Sequence, residues 1–276
     1  MERNTVILFY PAPWEGDQRG RIPHALLYLE RMIRDLSLNV ILIDEQVQKD
    51  YLPVLEAHKD TLLLVGVSAM TGYQLIGASA FSRRVKQVFE GPVVWGGWHP
   101  TLLPEQVLQE SFVDLVVVGQ GEKPFRELVQ KLMMKGDYSR IAGLGHKKNG
   151  AAVINPVAQF TDINQFPKVD YDRIDLNHYV FKSAYAERCI GYFSSHGCPY
   201  HCAFCCVAEV YGRKWYHKDV ATIIEDLRHI KKTAHIDSVT FDDDNFFIDR
   251  KFTLELCEAI VASNLNITWD TSAHAG

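Results

Sequence analysis

The stretch Leu62-Leu-Leu-Val-Gly-Val-Ser68-Ala-Met-Thr71-Gly72-Tyr-Gln74 joins a β-branched apolar run to a loop of small and polar residues, and an amphipathic segment follows it. Leu62 to Ser68 scarcely alternates apolar with polar, so it reads as a strand buried on both faces, the kind that parallel sheets contain. Four other runs read alike: TVILFY (residues 5–10), NVILID (39–44), PVVWGG (92–97) and DLVVVGQ (114–120). Between the third and fourth strands, the segment from Tyr73 to Phe89 sets Ile76, Ala80, Phe81, Val85, Val88 and Phe89 on one helical stripe.

Repeated strand-helix units of this kind imply an α/β fold: a doubly wound parallel sheet with right-handed crossovers, flavodoxin-like or Rossmann-like. Ligands of such sheets bind at the carboxyl ends of the strands. There the chain carries PAPWEGDQRGR (11–21), SAMTGYQ (68–74), GGWHPTLLPE (96–105) and GQGEKPF (119–125). Four loops on one rim thus bring glycine for close backbone approach and hydroxyl, amide and aromatic groups for binding. A wide, flat cofactor suits such a rim.

Bulk properties narrow the function classes. The 276 residues suit two domains, and 47% apolar with 23% charged residues is ordinary for packed cores. A net charge of −5 and a pI near 6.1 give no positive field to hold a phosphate backbone or an anionic membrane. No apolar run reaches the roughly 18 residues that span a bilayer, and Thr5 to Tyr10 is too short for a signal-peptide core. A cytoplasmic protein without nucleic-acid partners is the expectation.

From about Asp137 to Glu187 the periodicity fades. Asn149-Gly150 marks a tight hairpin, and FPKVDYDRIDLNHY (166–179) reads as an extended connector. The expected organisation is a first domain at 1–138, a linker with a hairpin at 139–187 and a second domain at 188–276. That second domain restarts the strand-helix pattern: strands at CIGYFSS (189–195), SVTFDD (238–243) and NITWDTS (266–272), with helices at about 219–234 and 250–263. In the first of these helices Val220, Ile223, Ile224, Leu227 and Ile230 share a face, and Asp219 stands at the N-cap.

All six cysteines lie in the last third of the chain, and Cys198, Cys202, Cys205 and Cys206 fall within nine residues. A disulfide framework spreads its cysteines to close loops, whereas this clustering suits a metal in a reducing compartment. Cys198-Pro-Tyr-His-Cys202-Ala-Phe-Cys205 offers three thiolates at C-x3-C-x2-C spacing. Three cysteines can hold three irons of a [4Fe-4S] cube and leave the fourth open. The alternative is a structural zinc with His196, His201 or Cys206 as fourth ligand, although its usual second C-x2-C arm is missing. Cys189 and Cys257 read as small buried hydrophobes.

This loop, with an aromatic before its last cysteine, resembles the radical S-adenosylmethionine superfamily. The resemblance implies the first half of a βα barrel with Cys198, Cys202 and Cys205 holding a [4Fe-4S] cluster. It also implies reductive cleavage of S-adenosylmethionine to a 5'-deoxyadenosyl radical, with an electron donor of the flavodoxin or ferredoxin type. Carried over residue by residue, Phe204 packs near the adenine, and Asp243 and Asp244 bind the ammonium of the methionine moiety in place of the commoner Gly-Gly-Glu. Otherwise these aspartates belong to a solvated acidic turn capping the next helix.

The rim loops upstream resemble the cobalamin-binding domain of one branch of that superfamily. The residues that carry this are Ser68, Thr71, Gly72 and Gln74, then Gly96, Gly97 and His99, then Gly119, Gly121 and Glu122. Asp-x-His-x-x-Gly is absent, so the resemblance implies cobalamin without a histidine lower ligand, His99 serving the corrin or its tail. It implies methylation of an unactivated carbon on a small-molecule substrate. An anaerobic oxidative cyclase acting on a magnesium porphyrin ester, or a noncatalytic cobalamin- or metal-binding module, is the alternative. A methylthiotransferase is disfavoured because no cysteine precedes Cys189. Barrels of this superfamily have six βα units, so the chain reads as a fragment of a longer protein or as one completed by a partner.

Overall fold

The computed structural model describes residues 3–14 and 20–274, and within them the chain folds as two units. The first runs to Thr161, with residues 167–169 added. Its elements are β1 (Thr5–Tyr10), α1 (His24–Ile33), β2 (Asn39–Asp44), α2 (Leu52–His58), β3 (Leu62–Ser68), α3 (Gln74–Val88), β4 (Val93–Gly96), α4 (Trp98–Leu102), α5 (Pro104–Gln109), β5 (Leu115–Val117), α6 (Glu122–Met133), β6 (Leu144–Lys148) and β7 (Ala151–Ile154). The strand order is β2-β1-β3-β4-β5-β6-β7. The first five strands are mutually parallel, in the 2-1-3-4-5 arrangement of flavodoxin-like sheets.

The Asn149-Gly150 hairpin extends this sheet. Its first arm β6 pairs antiparallel with β5, and β7 pairs with β6, so the unit continues well past residue 138. The hairpin covers what would otherwise be an open edge of β5. β1 and β3 are buried almost throughout, as their unbroken apolar runs require. β2 is only partly buried because it forms the other edge of the sheet.

α3 and its C-cap bury Phe81, Val85 and Phe89 as the apolar stripe predicts, but the helix turns the start of that stripe outward. Ile76 and Ala80 are exposed, and the buried line is Gln74, Ala78, Phe81, Ser82 and Val85. Two specific contacts outweigh hydrophobicity here. Phe81 stacks on Phe9 of β1 with ring centroids 3.7 Å apart. Trp95 Nε1 donates to Ser82 Oγ at 2.9 Å, satisfying an indole that is otherwise buried.

The second unit takes residues 20–22, 162–166 and 170–274. The connector within it is not extended. It makes two single 3-10 turns, Tyr171–Arg173 and Leu176–Tyr179, and a third, Ile163–Gln165, precedes it. Each opens on an aspartate, Asp162, Asp170 or Asp175, whose carboxylate accepts the amide two residues on. Local Asx turns therefore win over an extended path.

β8 (Cys189–Tyr192), β9 (Ser195–His196), α7 (Val207–Val210), β10 (Tyr216–His217), α8 (Val220–Ala234), β11 (Ser238–Phe241), α9 (Arg250–Ala262) and β12 (Thr268–Thr271) complete the unit. β8, β11 and β12 form a parallel sheet in the order β12-β11-β8, the beginning of a βα barrel, while β9 and β10 pair antiparallel beside it. Ile223, Leu227 and Ile230 of α8 are buried as the stripe predicts. Asp219 holds the N-cap position but makes no side-chain cap bond. The helix that is capped by its aspartate is α9, where Asp249 accepts from Lys251 N and Phe252 N.

Candidate functional site

The carboxyl rim of the first sheet is knitted together by hydrogen bonds between its loops. Ala69 N donates to Gly96 O at 2.8 Å, and His99 N to Ala69 O at 3.1 Å, joining the loops after β3 and β4. A side-chain contact repeats the link, with His99 Nδ1 3.0 Å from Thr71 Oγ1. Gly97 makes this approach possible. Its φ is +99°, and a Cβ there would stand 2.9 Å from Ala69 O. Gln74 ties in the first loop, accepting from Met70 N and donating to Pro11 O, each at 3.0 Å. Gly119 N donates to Thr101 Oγ1 at 3.1 Å, which brings the loop after β5 to α4. Residues 15–19 of the PAPWEGDQRGR loop lie outside the described residues.

The residues singled out on this rim divide into two groups. Ser68, Thr71, Gly72, Gly96, Gly97, Gly119 and Gly121 are exposed or half-exposed. Gln74, His99 and Glu122 are buried and engaged within the unit. Glu122 opens α6 and pairs with Arg31 of α1 at 3.2 Å, while burial pushes its carboxyl above the ordinary range. Burial likewise holds the His99 imidazole below its ordinary value, toward the neutral form.

The aromatic groups of this rim are legible in the sequence, whereas Met70 was left out and Ile76 was placed on a helical stripe. Trp14, Met70, Tyr73 and Ile76 are all large and exposed, Ile76 by 69%. The Trp14 and Tyr73 rings lie 6.4 Å apart. A polar, glycine-rich floor edged by exposed apolar groups fits a large ring with amide substituents, which is the surface a corrin presents.

In the second unit, the loop after β8 carries Cys198, Cys202 and Cys205, all as free thiols. Cys198 and Cys202 are half-buried and Cys205 is exposed. Among the described residues no three His, Cys, Asp or Glu side chains are gathered tightly enough to hold a metal ion. The donor set still fits an iron-sulfur cluster: three free thiols on one short loop, and metal binding is commonly coupled to the ordering of its ligands. His201, a fourth ligand in the zinc alternative, has its Nε2 2.7 Å from the Arg213 guanidinium. Phe204 is 93% exposed, open to a planar ligand. Cys189 is buried in β8, and Cys257 is half-buried, with its thiol pushed up chiefly by burial.

The acidic run Asp242-Asp243-Asp244 follows β11, the strand beside β8. Asp243 is 4% exposed. One of its oxygens accepts from Ser194 N at 2.8 Å, and the other from the hydroxyls of Ser194 and Ser195, each at 2.5 Å. Asp244 accepts from Gly197 N at 2.7 Å. Burial pushes both carboxyls up, and the Asp243 charge raises Asp244 further. Ser194 and Ser195 escaped the sequence reading. Their only signal there is a Ser-Ser pair placed just ahead of the cysteine loop.

Comparison with known proteins bears on both units. Residues 22–129 match the B12 binding domain model. The chain is 28% identical over 257 residues to an uncharacterized methyltransferase of Pyrococcus horikoshii, covering 91% of this chain and 55% of that protein. It is 24% identical over 252 residues to the anaerobic magnesium-protoporphyrin IX monomethyl ester cyclase of a Synechocystis strain, covering 89% and 50% respectively. The chain thus spans about half the length of these relatives. Among solved structures, the radical S-adenosylmethionine methyltransferase TsrM from Kitasatospora setae, with cobalamin and a [4Fe-4S] cluster bound, superposes with a TM-score of 0.74 at 19% identity, over 95% of this chain and 51% of that one. Residues 22–129 are thus similar to a B12 binding domain, and the chain, which carries a C-x3-C-x2-C loop at the exit of β8, shares its order of folds with a solved radical S-adenosylmethionine methyltransferase.

Proposed function

We propose that the protein containing this chain is a cobalamin-dependent radical S-adenosylmethionine methyltransferase acting on an unactivated carbon of a small-molecule substrate. The observation that carries the reading is the pairing, in one chain, of a cross-linked glycine-rich rim on a B12 binding domain with a three-thiol loop at the mouth of a parallel βα half-barrel. When bound, the cluster supplies the electron that cleaves the sulfonium of S-adenosylmethionine, and cobalamin supplies the methyl group.

The chain's own residues hold and orient these groups. Cys198, Cys202 and Cys205 would hold the cluster through three thiolates, which would leave it able to bind S-adenosylmethionine. Phe204, fully accessible, packs on its adenine. Asp244 stands at the same strand end as an acceptor for its ammonium. On the first unit Ser68, Thr71, Gly72, Gly96, Gly97, Gly119 and Gly121 meet the corrin and its side chains through backbone and hydroxyl groups, with Gln74, His99 and Glu122 supporting them from below. His99 is buried and contacts Thr71 through Nδ1, a supporting role within the rim. No helix among the described residues is long and apolar enough to cross a membrane. A cytoplasmic site of action and a flavodoxin- or ferredoxin-type electron donor belong to the same proposal.

A second reading is favoured by the relative named as a magnesium-protoporphyrin ester cyclase, which matches nearly as much of the chain. The two part in their products. The full-length protein containing this chain, reconstituted without oxygen and given cobalamin, S-adenosylmethionine and a reductant, is assayed for 5'-deoxyadenosine and S-adenosylhomocysteine. Both products support methyl transfer. 5'-Deoxyadenosine alone favours the cyclase type, and absence of both with a full cluster overturns the enzymatic reading.

A further inference from the structure

The acidic run after β11 has work to do before any ligand arrives. We propose that Asp243 is a positioning residue that fixes the stem of the cysteine loop, acting on the cluster site through Ser194 and Ser195 rather than by touching S-adenosylmethionine, while Asp244 holds Gly197 with one oxygen and keeps the other for the ammonium. The inference rests on the reading of Cys198, Cys202 and Cys205 as cluster ligands.

Three observations converge on it. Asp243 is buried, and both of its oxygens are taken by three donors from two consecutive residues, Ser194 and Ser195. Hydrogen bonds to a carboxylate are roughly twice as strong as neutral ones and fix geometry. A buried carboxylate satisfied in this way has little left to offer an incoming ammonium. Asp244 then takes the amide of Gly197, the residue before Cys198. Gly197 sits at φ +84°, and a Cβ there would collide with Lys214 O, so its path is already narrow. Finally, the simpler role for an acidic turn, capping the helix that follows, is filled by Asp249. Residues 194, 195 and 197 are thus strapped to the neighbouring strand's exit, and the strap ends one residue short of the first ligand.

The test uses the full chain with Asp243→Asn, and separately with Ser194→Ala and Ser195→Ala combined, which removes the hydroxyls but leaves Asp243 in place. In the apo protein, labelling of Cys198 by a maleimide should be about tenfold faster in either variant, the size expected when charge-assisted bonds that resist local opening are lost. Cys257, remote in sequence and on α9, serves as the internal standard and should keep its rate. After reconstitution, both variants should hold several-fold less iron and sulfide and show a broadened resonance signal of the reduced cluster before S-adenosylmethionine is added. The cluster that remains should still shift its signal on adding S-adenosylmethionine at concentrations within about twofold of wild type, since a tenfold change would correspond to a lost direct contact.

If Asp243→Asn kept its full cluster and Cys198 protection but lost the response to S-adenosylmethionine, Asp243 would be a ligand-binding residue and the proposal wrong. Unchanged behaviour of the serine double variant in labelling and cluster content would equally overturn it, even if Asp243→Asn failed to fold. Should the wild-type chain itself take up no cluster, the functional reading fails, while the labelling rates still decide whether the strap positions Cys198.

Discussion

Lys218 places its ammonium 3.1 Å from Oδ2 of Asp226, and both side chains are more than nine-tenths buried. Lys218 also donates to the hydroxyl of Tyr192 at 2.8 Å, and that hydroxyl donates to the same Asp226 oxygen at 2.7 Å. Tyr171, from the first turn of the connector, reaches the same oxygen at 3.4 Å. One carboxylate on α8 thus gathers the end of β8, the segment before α8 and the connector. Lys218 N donates to Ser194 O, so the network also adjoins the stem of the cysteine loop.

Removing Asp226 should therefore be costly. Asp226→Ala leaves a buried ammonium without its counter-charge, a loss of about 3–5 kcal/mol. Tyr171→Phe removes a long hydrogen bond to the same oxygen while leaving the ion pair intact, and should cost about 0.5–1.5 kcal/mol. Urea unfolding of the two variants beside the wild type measures both. Equal effects would show that the network is not centred on Asp226.

Replacing Cys198, Cys202 and Cys205 together by Ala should abolish the iron-sulfur chromophore of the reconstituted chain, whereas Cys257→Ala should leave it at wild-type intensity. Cys257 sits half-buried on α9, away from the loop in sequence and separated from it by β11. Iron and acid-labile sulfide per chain are the measurement, and a triple variant with a full complement would refute the ligand assignment.

Bound cobalamin should carry no nitrogen ligand from His99, because the ring is buried within the rim and the chain lacks an Asp-x-His-x-x-Gly segment. Paramagnetic resonance of the cob(II)alamin form should lack axial nitrogen splitting. A splitting that disappeared in His99→Ala would contradict this.

His99 also predicts a pH effect. Burial lowers its folded value below the ordinary 6.5, so on acidification the unfolded chain takes up this proton first. Stability is then complete above the ordinary value and falls as pH drops through it, levelling off once the folded value is passed. Chemical unfolding between about pH 7.5 and pH 5 should show this loss in the wild type and a smaller one in His99→Gln, which does not titrate. Parallel curves for the two proteins would place the titration elsewhere.

The sequence by itself determined the strands, their parallel arrangement and the cysteine loop. Unbroken apolar runs such as Leu62 to Ser68 and the short spacing of Cys198, Cys202 and Cys205 are local properties, and little else in the chain competes with them. Only the tertiary structure decided which side chains share a surface. It turned Ser82 inward to meet Trp95 and left Ile76 facing out, because one hydrogen bond to a buried indole and one aromatic stack outweigh the hydrophobic pattern. It brought the 149–150 hairpin into the sheet, since that depends on β5, a partner distant in sequence, whereas the aspartate-led turns of the connector are local and were legible in principle from Asp170 and Asp175. It also set Asp243 against Ser194 and Ser195, 49 and 48 residues away, a relationship created by the parallel pairing of β8 with β11 and written in no local motif.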